Sequence, residues 1–258
     1  MYMQGGCYIY IGQFTRSLSY FDRCIEFCLK YDDFGNLIDR LMWATMIAVL
    51  NGETERAKKY FNRVEIIYEE NKSQDPKKLF YTCYIFAKAN ILKTSSRFRS
   101  KVLAVEFFKE IFEKKAYHAN LYTLSLIFLC ELLLDELRLT NDESIVKEIE
   151  PLNNNLLEIA QSRKSYLYLA ESFLLQGKMY LVTFRTRKAR RSFLQAQRIA
   201  ERHNLDLKEL KILLRKEYIY LFLASSSLIF ALSVCLNGIE GFVRSMEDSQ
   251  VQHAFSIS

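Results

Sequence analysis

Cysteine and histidine, the side chains that most often act in catalysis or bind metals, lack the spacing that such a site needs. Cys24 and Cys28 lie four residues apart, on one helix face, but no nearby histidine or second cysteine pair completes a set of metal ligands. The histidines are isolated from one another, at His118, His203 and His253. We therefore expect no metal ion, and we interpret the cysteines as small buried side chains in a reducing compartment.

The sequence also lacks the short motifs that position phosphates, nucleophiles or catalytic zinc. It contains no GxGxxG or GxxxxGK[ST] loop, no HExxH and no GxSxG. Carboxylates are numerous, but no pair is singled out for acid–base catalysis. These observations predict a protein that is not an enzyme and that uses no cofactor.

The composition favours a wholly helical chain. Half of the 258 residues are apolar, and only 8 are glycine and 2 proline. A sheet protein of this length needs many tight turns, which use glycine and proline, so their scarcity indicates long helices with few connections. The charged fraction of 26% is typical of an ordered soluble protein, and the length fits one large domain or an elongated array with a tail.

A small–aromatic–small pattern recurs along the chain at helical spacing. In the first window Ser17 is followed by Phe21 four residues later and by Cys24 three residues after that. Three further windows repeat the spacing: Ala57, Phe61 and Val64; Ala104, Phe108 and Ile111; Ala189, Phe193 and Ala196. Offsets of three and four place each set on one helix face, where the small residue admits a neighbouring helix and the phenylalanine fills the space beside it.

Each window follows another segment in which apolar residues recur at helical spacing. Turn-forming residues separate the predicted helices. These segments are 36–50, 78–92, 119–139 and 164–182, and the predicted breaks fall at 51–52, 71–76, 94–96, 140–142 and 203–204. The first two windows begin 40 residues apart, which is enough chain for one helix pair and its turns. The pattern predicts repeated helix pairs, with a generic helix bundle as the alternative.

The last pair carries the closest resemblance to a known family. A helix of the type Phe173-x-x-x-Gly177-x-x-Tyr180 precedes the window that begins at Ala189. This arrangement resembles the tetratricopeptide repeat, and residues 164–205 are most similar to the long-helix variety found in bacterial and archaeal regulators.

The resemblance extends over residues 1–205 as about five helix pairs. It implies an all-α fold, a right-handed superhelical stack of antiparallel helix pairs, or α-solenoid. The fourth pair, at about 119–161, departs from the pattern because its second helix carries Pro151 and the asparagines 153–155. Solenoid repeats need only bury a shared face, so we expect the stack to continue through this pair.

In this family the first helix of each pair lines a concave face that binds proteins or peptides. The resemblance therefore predicts six partner-binding residues: Asp39, Trp43, Met46, Lys88, Glu171 and Lys178. Trp43 beside Met46 would anchor an apolar side chain of a partner, although a tryptophan packed between helices is the alternative. The function expected is that of a non-catalytic interaction scaffold or adaptor.

Residues 176–216 form a strongly basic segment. They contain 12 Lys and Arg but 3 Asp and Glu, a net charge of +9 in a chain whose total is +6. One helix face carries a basic stripe of Arg187, Arg191, Arg198 and Arg202. Such a stripe suits an acidic protein, a nucleic acid or an anionic membrane surface, and the lack of interleaved aromatics disfavours nucleic acid. A solvated helix face is the alternative.

The C-terminal region is predicted to form a helix at 206–238 followed by a poorly ordered tail at 239–258. Its residues 218–236 are uncharged, and a helix of that length spans about 28 Å, close to the thickness of a bilayer core. Arg215 and Lys216 precede this run, which by the positive-inside rule would keep the repeats cytoplasmic and anchor them to the membrane. The alternatives are a buried or self-associating helix and an aberrant tail.

The N-terminal residues do not resemble a secretory signal peptide, so we expect the repeats in the cytoplasm. The helix-like pattern is already under way at Met1, which suggests that the reading frame is truncated at this end. One further hypothesis is therefore that the chain is the sensor part of a larger transcriptional regulator.

Overall fold

The computed structural model describes residues 2–10, 13–75, 78–114, 119–203 and 205, and their regular secondary structure is helical. This part of the chain contains α1 (Tyr2–Tyr10), α2 (Phe14–Lys30), α3 (Phe34–Leu50), α4 (Thr54–Asn71), α5 (Leu79–Lys93), α6 (Phe98–Glu113), α7 (Ala119–Thr140), α8 (Glu143–Ser162), α9 (Tyr166–Val182) and α10 (Thr186–Arg202), with a 3₁₀ turn at Lys72–Gln74. The expected all-α class is confirmed for these residues.

The predicted C-terminal helix at 206–238, its uncharged run at 218–236 and the tail at 239–258 lie outside the described residues. Within the described ranges, no helix combines the length and the apolarity that crossing a bilayer requires.

Helices that follow one another in the chain pack against one another, from α1 on α2 through to α9 on α10. A second set of contacts joins the odd-numbered helices in series: α3 with α5, α5 with α7, and α7 with α9. Helices α3, α5, α7 and α9 are therefore covered on more sides than a helix that contacts only its chain neighbours. This explains why α3 buries nearly its whole circumference over Leu37–Ala48.

The four small–aromatic–small windows lie on α2, α4, α6 and α10 and face the core. Phe21, Phe108 and Phe193 are fully buried, and the small residue four positions before each of them is buried as well. Phe61, in the second window, is half-buried, and its neighbour Tyr60 is buried in its place. The spacing in the sequence thus identified the faces by which these helices pack.

Two of these phenylalanines pack directly on a glycine of the preceding helix. A Cβ atom added to Gly177 on α9 would lie 2.5 Å from Cδ1 of Phe193 on α10, and one added to Gly5 on α1 would lie 3.0 Å from Cε2 of Phe21 on α2. Each glycine precedes its phenylalanine by the same number of residues. The contact of α1 with α2 and the contact of α9 with α10 are therefore of the same close kind, which a side chain larger than hydrogen would obstruct.

A left-handed residue ends several of the helices. Positive φ angles occur between consecutive helices at Asp32, Gly52, Lys78, Asn141, Lys164 and Phe184. Such a residue turns the chain out of the helix and satisfies the last carbonyl groups. At the predicted break at 140–142, Asn141 takes this conformation and the Asp142 carboxylate then accepts the Ser144 N–H at the start of α8.

The helix α8, predicted as the second helix of a fourth pair, forms despite the proline. α8 runs from Glu143 to Ser162 and continues through Pro151. Asn155 Nδ2 donates to Tyr122 Oη of α7 at 2.9 Å, and Asn153 is buried. Two of the asparagines that depart from the repeat pattern therefore lie in the packing of α8.

Candidate functional site

The C-terminal ends of α3, α5 and α7 and the last turns of α9 surround an open cavity of about 380 Å³. Four successive odd-numbered helices thus contribute to a single concave site. Its lining consists of Val49, Leu50, Lys93, Thr94, Glu131, Leu132, Leu134, Asp135, Arg138 and Lys178. We call this site the odd-helix cavity. Its lining places four apolar side chains beside five charged ones, so both apolar and charged groups of a ligand could be contacted there.

Most charged groups at the cavity are held in ion pairs. Glu131 and Asp135 lie one turn apart on α7, and Glu131 Oε2 is 3.6 Å from Lys93 Nζ. Asp135 contacts Lys101 Nζ of α6 at 2.8 Å and an Arg138 guanidinium nitrogen at 3.8 Å. Because these groups are partly exposed, each pair contributes little stability, on the order of 1 kcal/mol or less. Their effect is to fix the orientation of both carboxylates.

Lys178 differs from the other cations around the cavity. Its side chain lines the cavity although the residue is only 8% exposed. No hydrogen bond or ion pair to its ammonium group is found within the described part of the chain. The lining residues carry three cations and two carboxylates, so their formal net charge is +1. Among the described lining residues, Lys178 is the cation to which this excess of positive charge corresponds.

The three α3 residues predicted to bind a partner lie inside the helix packing. Asp39, Trp43 and Met46 are all buried. The Trp43 ring lies 6.4 Å from the ring of Phe86 on α5, and the Asp39 carboxylate contacts the neighbouring Arg40 guanidinium. Trp43 therefore contributes to the core between two odd-numbered helices, which is the alternative considered for it. A role for the three residues in binding stays a prediction.

The other predicted groove residues are divided between two places. Lys88 is half-buried on α5 and donates to Tyr84 Oη, and the Tyr84 ring stacks on Tyr68 of α4 with centroids 4.5 Å apart. Glu171 is half-buried on α9. Of the six residues predicted to bind a partner, Lys178 is the one that lines the odd-helix cavity.

The arginines of the basic stripe are all exposed on α10. The opposite face of the helix buries Ala189, Phe193 and Ala196 against α9. The stripe consists of Arg187, Arg191, Arg198 and Arg202. None of these arginines forms an ion pair with another described residue. The stripe thus presents four fixed positive charges on one helix face.

A second feature lies at the beginning of α10 and was not identified from the sequence. Phe184, in the turn before this helix, is 78% exposed and has a positive φ of 57°. Exposed cations surround the same helix end: Arg185, Arg187, Lys188, Arg190 and Arg191. We call these six residues the α10 entry cluster. Positive charge at the positive end of a helix dipole is unfavourable by up to about 1 kcal/mol, and of these cations Lys188 lies over the Tyr180 ring, 5.6 Å from its centroid.

No known family model matches the chain, and no curated protein matches it either. The tetratricopeptide resemblance therefore rests on the residues and helix pattern described above. Function has to be argued from the cavity and the charged surfaces.

A second open cavity, of about 340 Å³, lies where α4, α5 and α6 meet. Its polar groups are engaged with one another: Asp75 accepts the N–H groups of Leu79 and Tyr81 at 2.7 and 2.9 Å, and Tyr81 Oη donates to Glu110 at 3.0 Å. Burial and the Glu110 carboxylate raise the pKa of Tyr81 to about 12. These contacts stabilise the start of α5, so this cavity is a weaker candidate for binding.

A polar contact also joins α2 and α4. Tyr60 Oη of α4 donates to Asp22 of α2, and the Arg56 guanidinium contacts the same carboxylate. Burial and the hydrogen bond to Asp22 raise the pKa of Tyr60 to about 12. The tyrosine therefore remains protonated at neutral pH and acts as a donor between the two helices.

Among the described cysteines, Cys7 is exposed, and Cys24, Cys28, Cys83 and Cys130 are buried. Burial raises the pKa of the Cys83 thiol well above its ordinary value and that of Cys130 to about 12. Across the described ranges, no group of cysteine, histidine and acidic side chains could hold a metal ion. His203 stacks on Tyr166, whereas His118 and His253 lie outside these ranges.

Proposed function

We propose that the chain is a non-catalytic scaffold, a right-handed stack of antiparallel helix pairs that holds a protein or peptide segment against its odd-numbered helices. The pairs are α1–α2, α3–α4, α5–α6, α7–α8 and α9–α10. The serial contacts among odd-numbered helices and the repeated glycine–phenylalanine contact support this arrangement. In such stacks the first helices of successive pairs form the inner surface, where extended partners bind.

The odd-helix cavity is the observation that carries this proposal. It takes its lining from α3, α5, α7 and α9, so a segment bound there contacts elements from four successive pairs. Val49, Leu50, Leu132 and Leu134 offer apolar contacts, and the ion pairs along α7 offer polar contacts at fixed positions. The partner segment is therefore expected to carry an apolar side chain beside charged or polar groups.

Blocking the cavity tests the proposal. Thr94 is exposed at the cavity, and its Oγ1 donates to the Ile91 carbonyl at 2.8 Å. Ser162, at the end of α8 and outside the cavity lining, makes the equivalent bond to the Ile159 carbonyl at 3.0 Å. Replacing either by arginine removes the same local bond, but only Thr94→Arg fills the cavity.

We expect Thr94→Arg to lower the recovery of captured partners from a native extract by at least about tenfold, a change of about 1.4 kcal/mol, and Ser162→Arg to leave it unchanged. Quantitative mass spectrometry after affinity capture measures this difference. Equal recovery of partners with both variants would show that the partners do not bind in the cavity.

The α10 entry cluster supports a second candidate function, attachment of the scaffold to an anionic membrane surface. Basic residues near such a surface each contribute about 1 kcal/mol of binding, and an exposed aromatic ring can enter the headgroup region. The cluster combines both, with Phe184 next to five exposed cations.

Sedimentation with phosphatidylserine vesicles tests this second function. We expect the double variant Arg187→Glu/Arg191→Glu, which alters the cluster, to reduce binding by more than about tenfold. The matched variant Arg198→Glu/Arg202→Glu changes the same number of charges at the other end of the stripe and should reduce it less. A wild-type protein that does not sediment with these vesicles would contradict the assignment.

A further inference from the structure

The ammonium group of Lys178, which has no partner among the described residues, indicates what kind of ligand the odd-helix cavity takes. Lys178 is more than nine-tenths buried and lines the cavity, yet no described residue bonds to its ammonium group. Its ammonium nitrogen is not among the fully buried polar atoms, so the packed side-chain stem holds the charge at the cavity, where an anion can reach it. The neighbouring cations Lys93, Lys101 and Arg138 all have a carboxylate nearby. Lys178 is therefore the group that an incoming anion would neutralise.

The charges around the cavity favour an anion with a single negative charge. The lining combines three cations with two carboxylates, and Lys101 neutralises Asp135 from outside the lining, so the balance of charge admits an anion. Glu131 and Asp135 face the same space, and their carboxylates would repel a phosphate dianion more strongly than a carboxylate monoanion. A carboxylate also accepts short, charge-assisted hydrogen bonds from an ammonium group.

The rest of the lining specifies the group attached to this carboxylate. Val49 and Leu50 come from α3, and Leu132 and Leu134 from α7. A volume of about 380 Å³ lies at the small end of the range for ligand sites. We propose that the odd-helix cavity binds a carboxylate carried next to an apolar side chain, with the Lys178 ammonium as its counter-ion. The proposal rests on the proposed scaffold function, since it names the anchoring group of the partner segment.

The test uses the full-length protein and the probe N-acetyl-leucine, which combines one carboxylate with one apolar side chain. Leucinamide, which lacks the carboxylate, and inorganic phosphate are compared at the same ionic strength. Isothermal titration calorimetry gives the affinity of each probe, and thermal unfolding provides a second readout because a ligand that binds the folded state raises Tm. The variants are Lys178→Met and Lys178→Gln, with Lys147→Met, an exposed lysine of α8, as the control.

We expect N-acetyl-leucine to bind and to raise Tm in the wild type and in Lys147→Met. In both Lys178 variants its affinity should fall by at least about tenfold, because a charge-assisted hydrogen bond is lost. Failure of N-acetyl-leucine to bind the wild type would overturn the proposal, as would undiminished binding in the Lys178 variants. Equal binding of leucinamide, or tighter binding of phosphate that depends on Lys178, would also contradict it.

The two proposals can fail separately. If N-acetyl-leucine binds through Lys178 while Thr94→Arg leaves partner capture unchanged, the cavity is a site for a free carboxylate and the scaffold proposal fails. If Thr94→Arg abolishes capture while N-acetyl-leucine does not bind, the scaffold proposal stands and the carboxylate assignment is wrong.

Discussion

At the residue scale, the contact between Gly177 and Phe193 shows how little space separates paired helices. A Cβ on Gly177 would approach two carbon atoms of the Phe193 ring to 2.5 Å, and that ring is fully buried. Real Cβ atoms do not approach so closely, so the ring or the helix would have to move. This explains why glycine is found in the interior of α9, where it is otherwise a poor helix former.

We predict that Gly177→Ala lowers the free energy of unfolding by about 1–3 kcal/mol, the usual cost of overpacking a well-filled core. Gly6 in α1 is the matched control, because a Cβ there meets nothing within 4 Å. Gly6→Ala should raise the free energy of unfolding by about 0.5–1 kcal/mol through helix propensity alone. Urea unfolding monitored by circular dichroism measures both. A stabilising Gly177→Ala would show that the two helices do not meet in this way.

Cysteine reactivity provides a second residue-scale prediction. The thiolate is the form that reacts, and burial raises the pKa of Cys83 and Cys130, so less thiolate is present in these residues at pH 8 than in an exposed cysteine. Cys7 is exposed. We expect iodoacetamide at pH 8 to modify Cys7 in the native protein while Cys83 and Cys130 react only after denaturation. Peptide mapping by mass spectrometry resolves the sites, and comparable native rates at Cys83 and Cys7 would contradict the fold.

At the element scale, the turn between α9 and α10 has a conformation that its residue type does not favour. Phe184 adopts a φ of 57° at the place where glycine or asparagine is usual. The other left-handed turn residues include Gly52 and Asn141, whose types are suited to it. A bulky exposed residue with this conformation is strained, and strained residues of this kind are often retained for function.

We predict that Phe184→Gly raises the free energy of unfolding by about 1 kcal/mol, because the strain is relieved and little buried surface is lost. Phe98 is the control, since it is 57% exposed and is not among the residues with a positive φ. Phe98→Gly should lower stability or leave it unchanged. If Phe184 also contacts a membrane, Phe184→Gly will weaken vesicle binding while it stabilises the protein. Reduced stability of Phe184→Gly would contradict the strained turn.

Many of the buried helix faces and helix ends could be predicted from the sequence because they are local features. The spacing of Phe21, Phe108 and Phe193 identified buried faces, and the residues at 140–142 identified a helix start. The continuity of α8 through Pro151 and the left-handed Phe184 could not be predicted in the same way. α8 buries Ile149 and Asn153 on either side of Pro151, so its packing overrides the preference of proline, and the residue type of Phe184 gives no signal of a left-handed turn.

At the scale of the whole molecule, the described helices have distinct roles. The odd-numbered helices pack in series and surround the cavity, and α10 carries the exposed basic stripe. The cavity could not be predicted in detail, because its lining comes from residues as far apart in sequence as Val49 and Lys178. The resemblance to the tetratricopeptide repeat nevertheless selected Lys178 as a groove residue. It also selected Trp43, whose burial against Phe86 depends on how closely α3 and α5 approach.

Site-specific photocrosslinking in the native cell tests most directly whether a partner segment lies against the odd-numbered helices. A benzophenone side chain is introduced at Thr94, in the cavity lining, or at Ser162, at the end of α8. We predict that a partner is crosslinked from position 94 and that position 162 gives no such product. We also predict that Lys178→Met weakens the crosslink from position 94. Crosslinking of the same partner from position 162 but not from position 94 would contradict the scaffold proposal.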